Sequence, residues 1–197
     1  QKIELTSKSG SYQMRGMAAD DFPELPLVES GTSFKVNATC LVQALRATLF
    51  SSSTDEAKQL LTGVHLAIHG KDLKVAATDG HRLAVLNMEN VLQIDIPENI
   101  STVNEDLTFA VTLPARSLRE VERLISGWKN NDLVSFFCDK GQVVFLANDK
   151  VITTRTLEGV YPNYNQLIPN EFSKSIIIER KIFILALERI AVLADQH

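Results

Sequence analysis

The sequence predicts an α+β fold: a pseudo-symmetric domain of two helices packed on antiparallel sheets. Short β-branched runs are separated by Asp-Gly, Lys-Gly and Asn-Asp pairs, the chemistry of tight hairpins. Few of these runs lead into a helical segment, which argues against the strand-helix alternation of a parallel α/β fold. Finally, "FKVNATCLVQALRATLF" (34–50) is echoed by "FAVTLPARSLREVERLI" (109–125) once a two-residue gap is allowed. Each copy reads as strand, polar break and helix, and each is followed by a set of strands.

In chain order, the first strand and helix occupy 34–50, and "TGVHLAIHG", "LKVAATDG" and "HRLAVLNM" read as the strands after them. Asp79-Gly80 then forms a two-residue hairpin turn, because Gly tolerates positive φ at no steric cost and Asp at little. The second strand runs from Phe109, and a helix is predicted over Leu113–Trp128, with Thr112 as N-cap and Pro114 in the first turn. Leu118, Val121, Ile125 and Trp128 recur at three- and four-residue spacing as one apolar stripe. Arg116, Arg119 and Arg123 share that spacing on the opposite side, and Lys129 follows. "DLVSFFCD", "QVVFLAND" and "VITTRTL" complete the second set of strands.

A longer repeat bears on domain organisation. "MRGMAADDFPELP" and "TRTLEGVYPNYNQLIP" share an Arg, an acidic stretch and an aromatic-Pro step. Pro23 and Pro162 stand about 140 residues apart, as do Leu45 and Leu187 in the helical patterns that follow, and this is an ordinary domain size. Residues 1–30 are therefore expected to be the end of one domain and 31–170 a complete one. Residues 171–197 would be the opening strand and helix of a third. The first residue is Gln1 and the last helical pattern is still running at the end, so a piece of a longer protein is expected.

With 197 residues, 45% hydrophobic and 22% charged, the composition is that of a soluble globular protein. The longest apolar run, "IFILALERIAVLA", is interrupted by Glu188 and Arg189 and is too short to cross a bilayer. Cys40 and Cys138 have no metal-ligand spacing and read as small buried hydrophobes rather than a disulfide. The net charge of −4 argues against a uniformly basic surface without excluding a local one. The arginine stripe has two readings: a solvated outer face with surface Arg–Glu pairs, or a row facing phosphates without reading bases. Arg46 on the first helix is a single possible addition to it.

The stretch with the most suggestive chemistry is "KVAATDGHRLAVLN" (74–87). A metal-dependent hydrolase or nuclease could use Asp79 and His81. No nucleophile elbow, P-loop, G-x-G-x-x-G segment or H-E-x-x-H accompanies them, and His65 and His69 lie in a strand pattern. A structural hairpin tip is the plain reading. Recognition is the other, with Gly80 leaving room for close approach, Leu83 and neighbouring apolar groups lining a small groove, and Thr78 and Arg82 at its rim.

"ATDGHRLAV" and "EGVYPNYNQLIP" together resemble the bacterial DNA polymerase III beta subunit family, the replicative sliding clamps. The family's first motif reads T-D-G-H-R-L-A, and its second G-[RK]-[FY]-P-[DN]-Y with a closing Pro. This chain departs at Val160 and at Asn165-Gln166, where many members carry basic residues.

The resemblance implies a DNA-clamp fold and a non-catalytic processivity subunit of a nucleotidyltransferase holoenzyme, without a cofactor. The full-length form would be a homodimeric ring of six similar domains around duplex DNA. Its partners would be the replicative polymerase catalytic subunit, the clamp loader, and other polymerases and repair proteins carrying short clamp-binding motifs. The location implied is cytoplasmic, nucleoid-associated at replication forks, with no membrane. The partner pocket would comprise Lys58, Leu61, Thr78, Gly80, His81, Arg82, Leu83, Pro162, Gln166 and Leu167. The DNA-facing residues would be Arg46, Arg116, Arg119, Arg123 and Lys129.

Overall fold

A computed structural model of the chain describes residues 2–21, 32–95, 108–129, 132–139, 141–169 and 171–194. The chain divides into two compact units, Gln1–Tyr161 and Pro162–His197.

The first unit opens with a hairpin, β1 (Lys2–Ser7) and β2 (Gly10–Arg15), whose residues are all exposed. β3 (Thr32–Asn37) leads directly into α1 (Ala38–Thr48). Asn37 makes the switch, since its Oδ1 accepts the Thr39 N–H at 3.0 Å and caps the new helix. β4 (Gly63–His69), β5 (Asp72–Thr78) and β6 (Leu83–Met88) form a meander, and β7 (Leu92–Asp95) follows. The second half repeats the plan with β8 (Thr108–Pro114), α2 (Ala115–Ile125), β9 (Leu133–Asp139), β10 (Gln142–Ala147) and β11 (Lys150–Arg155).

The halves exchange their first strands. β8 adds to the meander of the first half in the sheet β6-β5-β4-β8, while β3 adds to that of the second in β11-β10-β9-β3-β7. Every pairing is antiparallel. α1 and α2 pack beside one another, and the core lies between them and the sheets. Leu41, Leu45, Leu118, Val121 and Ile125 meet Val64, Leu66, Val75 and Val134 there. Phe34 stacks on Phe136 at 5.2 Å between ring centres, with Phe145 and Phe109 flanking. Each ring removes a large apolar area from water, which is the main force holding the halves together.

Several expectations are corrected. α2 starts at Ala115 rather than Leu113, and Thr112 is not its cap. Leu113 precedes Pro114, which disfavours helical backbone, so β8 continues and pairs Leu113 with Val64. The helix ends at Ile125, leaving half-buried Trp128 just beyond it. β7 was not anticipated, and its pairing with β3 is a long-range contact invisible to local pattern.

The turn at Asp79-Gly80 is also longer than two residues. Thr78 pairs with Leu83, so residues 79–82 form the loop, and His81 and Arg82 belong to it rather than to the strand. Cys40 and Cys138 are both free thiols, and burial pushes the Cys138 thiol up to about 12.

In the second unit, residues 171–179 contain no strand among those described, whereas an opening strand was expected. A strand exists through ladder bonds to a neighbour, and none is paired there. A short 3-10 turn (Tyr164–Leu167) and α3 (Arg180–Ala194) are its regular elements, and α3 is exposed along its whole length. Of the repeat anchors, Leu45 and Leu187 both fall in helices, while Pro23 and the boundaries at residues 30–31 and 170 lie outside the described residues.

Candidate functional site

The loop 79–82 is organised by two side chains. Asp79 Oδ1 accepts the backbone N–H of His81 at 2.9 Å and of Arg82 at 3.0 Å, while Oδ2 accepts Arg82 Nε at 3.0 Å. Thr78 Oγ1 donates to the Arg82 carbonyl at 2.7 Å and accepts the Gly80 N–H at 3.1 Å. Gly80 takes φ +94°, and a side chain there would meet open space, so its role is conformational. The backbone N–H groups of His81 and Arg82, with the Arg82 charge, hold the Asp79 carboxyl down at about 2. A carboxylate so weakly basic and so fully committed to its own loop is a poor general base near pH 7, where catalysis needs a group poised to take a proton.

Two other segments converge on this loop. The first is the 3-10 stretch Glu56–Thr62, kinked at Lys58 and tied back by the Ser53 N–H to the Leu61 carbonyl at 2.8 Å. Lys58, His81 and Arg82 line one cleft of about 300 Å³, shared with Ser52 to Asp55 and Asp79. Arg82 also lies over the exposed Phe50 ring, 5.9 Å from its centre.

The second segment is 156–161, which returns from β11 towards the other sheet. The Leu157 N–H donates to the Thr112 carbonyl at 2.8 Å, and the Tyr161 hydroxyl accepts the Thr78 N–H at 3.1 Å. The Tyr161 ring stacks on His65 at 4.8 Å, whose Nδ1 sits 3.1 Å from Thr112 Oγ1. Burial lowers the His65 pKa, so the ring is neutral at pH 7. Gly159 comes against Leu60, within van der Waals range of any added Cβ.

Of the expected pocket residues, Lys58, Leu61, Thr78, Gly80, His81, Arg82 and Leu83 thus belong to neighbouring segments of the first unit, with Leu61 and Leu83 half-buried. Pro162, Gln166 and Leu167 belong to the second unit, where all three are exposed and Asn163 caps the turn that carries the last two. Tyr161, His65 and Phe50 were missed. Tyr161 is the aromatic of the aromatic-Pro step and so was visible in the sequence, but its hydrogen bond spans 83 residues and has no local signal.

The arginines sit as the helical spacing requires, exposed on the face of α2 away from Leu118, Val121 and Ile125. Arg123 grips Glu120, with Nε and Nη2 both on Oε2 at 3.0 and 2.6 Å. Arg46 of α1 reaches Glu122 at 2.7 Å and so ties the two helices together. Lys129 is exposed just past the end of α2.

With this geometry established, resemblance to known proteins is informative. A family model for the DNA polymerase III beta subunit, central domain, matches residues 35–163. The beta sliding clamp of Synechococcus elongatus is 50% identical over 98% of this chain and 49% of its own length. That of Bacillus subtilis is 32% identical over 98% of this chain and 47% of its own. The crystal structure of the Bacillus subtilis clamp superposes with a TM-score of 0.81 at 31% identity, covering 98% of this chain and 47% of that one. A Bartonella birtlesii clamp solved bound to griselimycin gives 0.77 at 27% identity, covering 95% and 48%. The chain spans about half the length of the curated relatives it matches. The antiparallel α+β architecture, the T-D-G-H-R-L-A loop and these matches agree, and the chain belongs to the DNA polymerase III beta subunit family through that family's central domain.

Proposed function

We propose that this chain is part of a non-catalytic sliding clamp, and that the groove beside loop 79–82 holds the short motifs of client proteins. The cleft that Lys58 shares with Asp79, His81 and Arg82 of this loop carries the reading. Lys58, His81 and Arg82 line that cleft and would supply its polar rim, and half-buried Leu61 and Leu83, next to them in sequence, would supply apolar anchoring. The replicative polymerase, the clamp loader and repair proteins would compete there through short motifs. Residues 1–30, 31–170 and 171–197 would be the end, whole and start of successive clamp domains in a homodimeric ring. A closed ring stays on duplex DNA by topology, so it needs only weak, sequence-independent phosphate contacts that release as it slides. Arg46, Arg116, Arg119, Arg123 and Lys129 are the candidates for such contacts. A clamp of this kind acts on DNA in the cell interior, and no described helix is long and apolar enough to cross a membrane.

The groove is tested by calorimetry with a peptide carrying a clamp-binding motif. His81→Ala combined with Leu83→Ala is expected to weaken binding about tenfold or more, since truncating anchor residues typically costs ~1–2 kcal/mol or above. Unchanged affinity in a folded double variant would remove these residues from the site.

A further inference from the structure

The arginine face of the two helices is not electrically uniform. Arg123 is opposed by Glu120, and Arg46 by Glu122, each within ordinary ion-pair distance. A phosphate approaching either guanidinium meets a carboxylate at the same place, which offsets much of the attraction. Arg116 and Arg119 differ. Arg119 Nη2 contacts only the neutral Ser52 hydroxyl, at 3.3 Å. Among the described residues, no acid stands within ion-pair distance of Arg116 or Arg119.

These two arginines line a single cleft of about 500 Å³ at the N-terminal end of α2. Its other wall carries Ser53, Thr54, Glu56 and Gln59 from the segment that leads to the client groove. Two guanidinium forks without an ion-pair partner, hydroxyl donors in the same cleft and a helix start that favours negative charge make one place suited to a phosphodiester oxygen. Glu56 lines the same cleft and keeps the net attraction modest.

Resting on the clamp reading above, we infer that this cleft is a discrete seat for a backbone phosphate of duplex DNA, formed by Arg116 and Arg119. Arg46 and Arg123 instead serve as ion-pair partners, the first joining α1 to α2 and the second bracing the last turns of α2. Contact with DNA is then concentrated at one end of α2 rather than spread along its stripe. Glu56 makes that contact brief, as a sliding surface requires.

The test is anisotropy of a labelled short DNA duplex with the whole 197-residue chain over a salt series, for Arg→Gln variants at positions 46, 116, 119 and 123. Arg116→Gln and Arg119→Gln should each flatten the slope of log K against log salt by about one unit, the loss of one phosphate contact. Arg46→Gln and Arg123→Gln should leave that slope unchanged. Glu56→Gln should tighten binding at low salt. Thermal melts followed by circular dichroism separate lost contacts from lost fold. Equal slope losses at all four arginines, or a loss at Arg123 alone, would overturn the seat while leaving DNA contact intact. No salt-dependent binding by the unaltered chain would overturn the seat and the other arginine contacts, while encirclement is decided separately by retention of the full-length protein on circular DNA.

Discussion

Asp79 is the residue on which competing readings of the sequence turn, and its environment decides between them. Its oxygens are engaged by His81 and Arg82 of its own loop, and those bonds favour the ionised form. The folded pKa of about 2 lies below the usual carboxylate value near 4. The loop's stabilisation is therefore fully present above about pH 4 and is lost as pH falls towards and through about 2. Amide resonances of His81 and Arg82 followed by NMR should shift with a midpoint near 2. A midpoint near 4 would show that the bonds to Asp79 do not form in solution. The Asp-Gly turn chemistry was legible in the sequence, but the loop's true length was not. Thr78 and Asp79 supply side-chain bonds that extend the turn by two residues, and hairpin rules consider only the backbone.

At the scale of elements, the site depends on the segment after β11 being pressed against the β4–β8 edge. Gly63 allows this. A Cβ there would lie 2.6 Å from Leu157 Cδ1, 2.7 Å from Thr112 Cγ2 and 2.9 Å from the Leu113 carbonyl oxygen. Gly63→Ala is expected to destabilise the fold by about 1–3 kcal/mol through overpacking, read as a lower urea midpoint at unchanged m-value. A midpoint equal to that of the unaltered protein would mean that the Leu157 segment moves aside without cost. Most strands and both helices of residues 31–170 could be read from two-residue alternation, turn pairs and the apolar stripe of α2. The exceptions were decided by distant partners: β7 exists through pairing with β3, and the Tyr161–Thr78 contact joins the last strand's exit to the tip of β5. The pairing of Arg123 with Glu120 was available in principle, since the two lie three apart on one helix. Its consequence for the neighbouring arginines emerges only when Arg46 is seen bound to Glu122 from another helix.

At the largest scale, the first unit consists of two halves that exchange their first strands, with α1 and α2 packed side by side and the loop 79–82 at one end of β5 and β6. On the proposed function the helix face would meet DNA and the loop would hold clients. The internal echo was visible in the sequence because both halves keep the order strand, break, helix and strands. The exchange of β3 and β8 was not, because strand partners are fixed by three-dimensional packing. The central claim is that the protein holds DNA by encircling it rather than by gripping it. The most direct measurement loads the full-length protein carrying this sequence onto nicked circular DNA and compares retention before and after linearisation, at a salt concentration that suppresses side-on binding. Retention on the circle with loss from the linear form is the result predicted. Equal loss from both forms would contradict it.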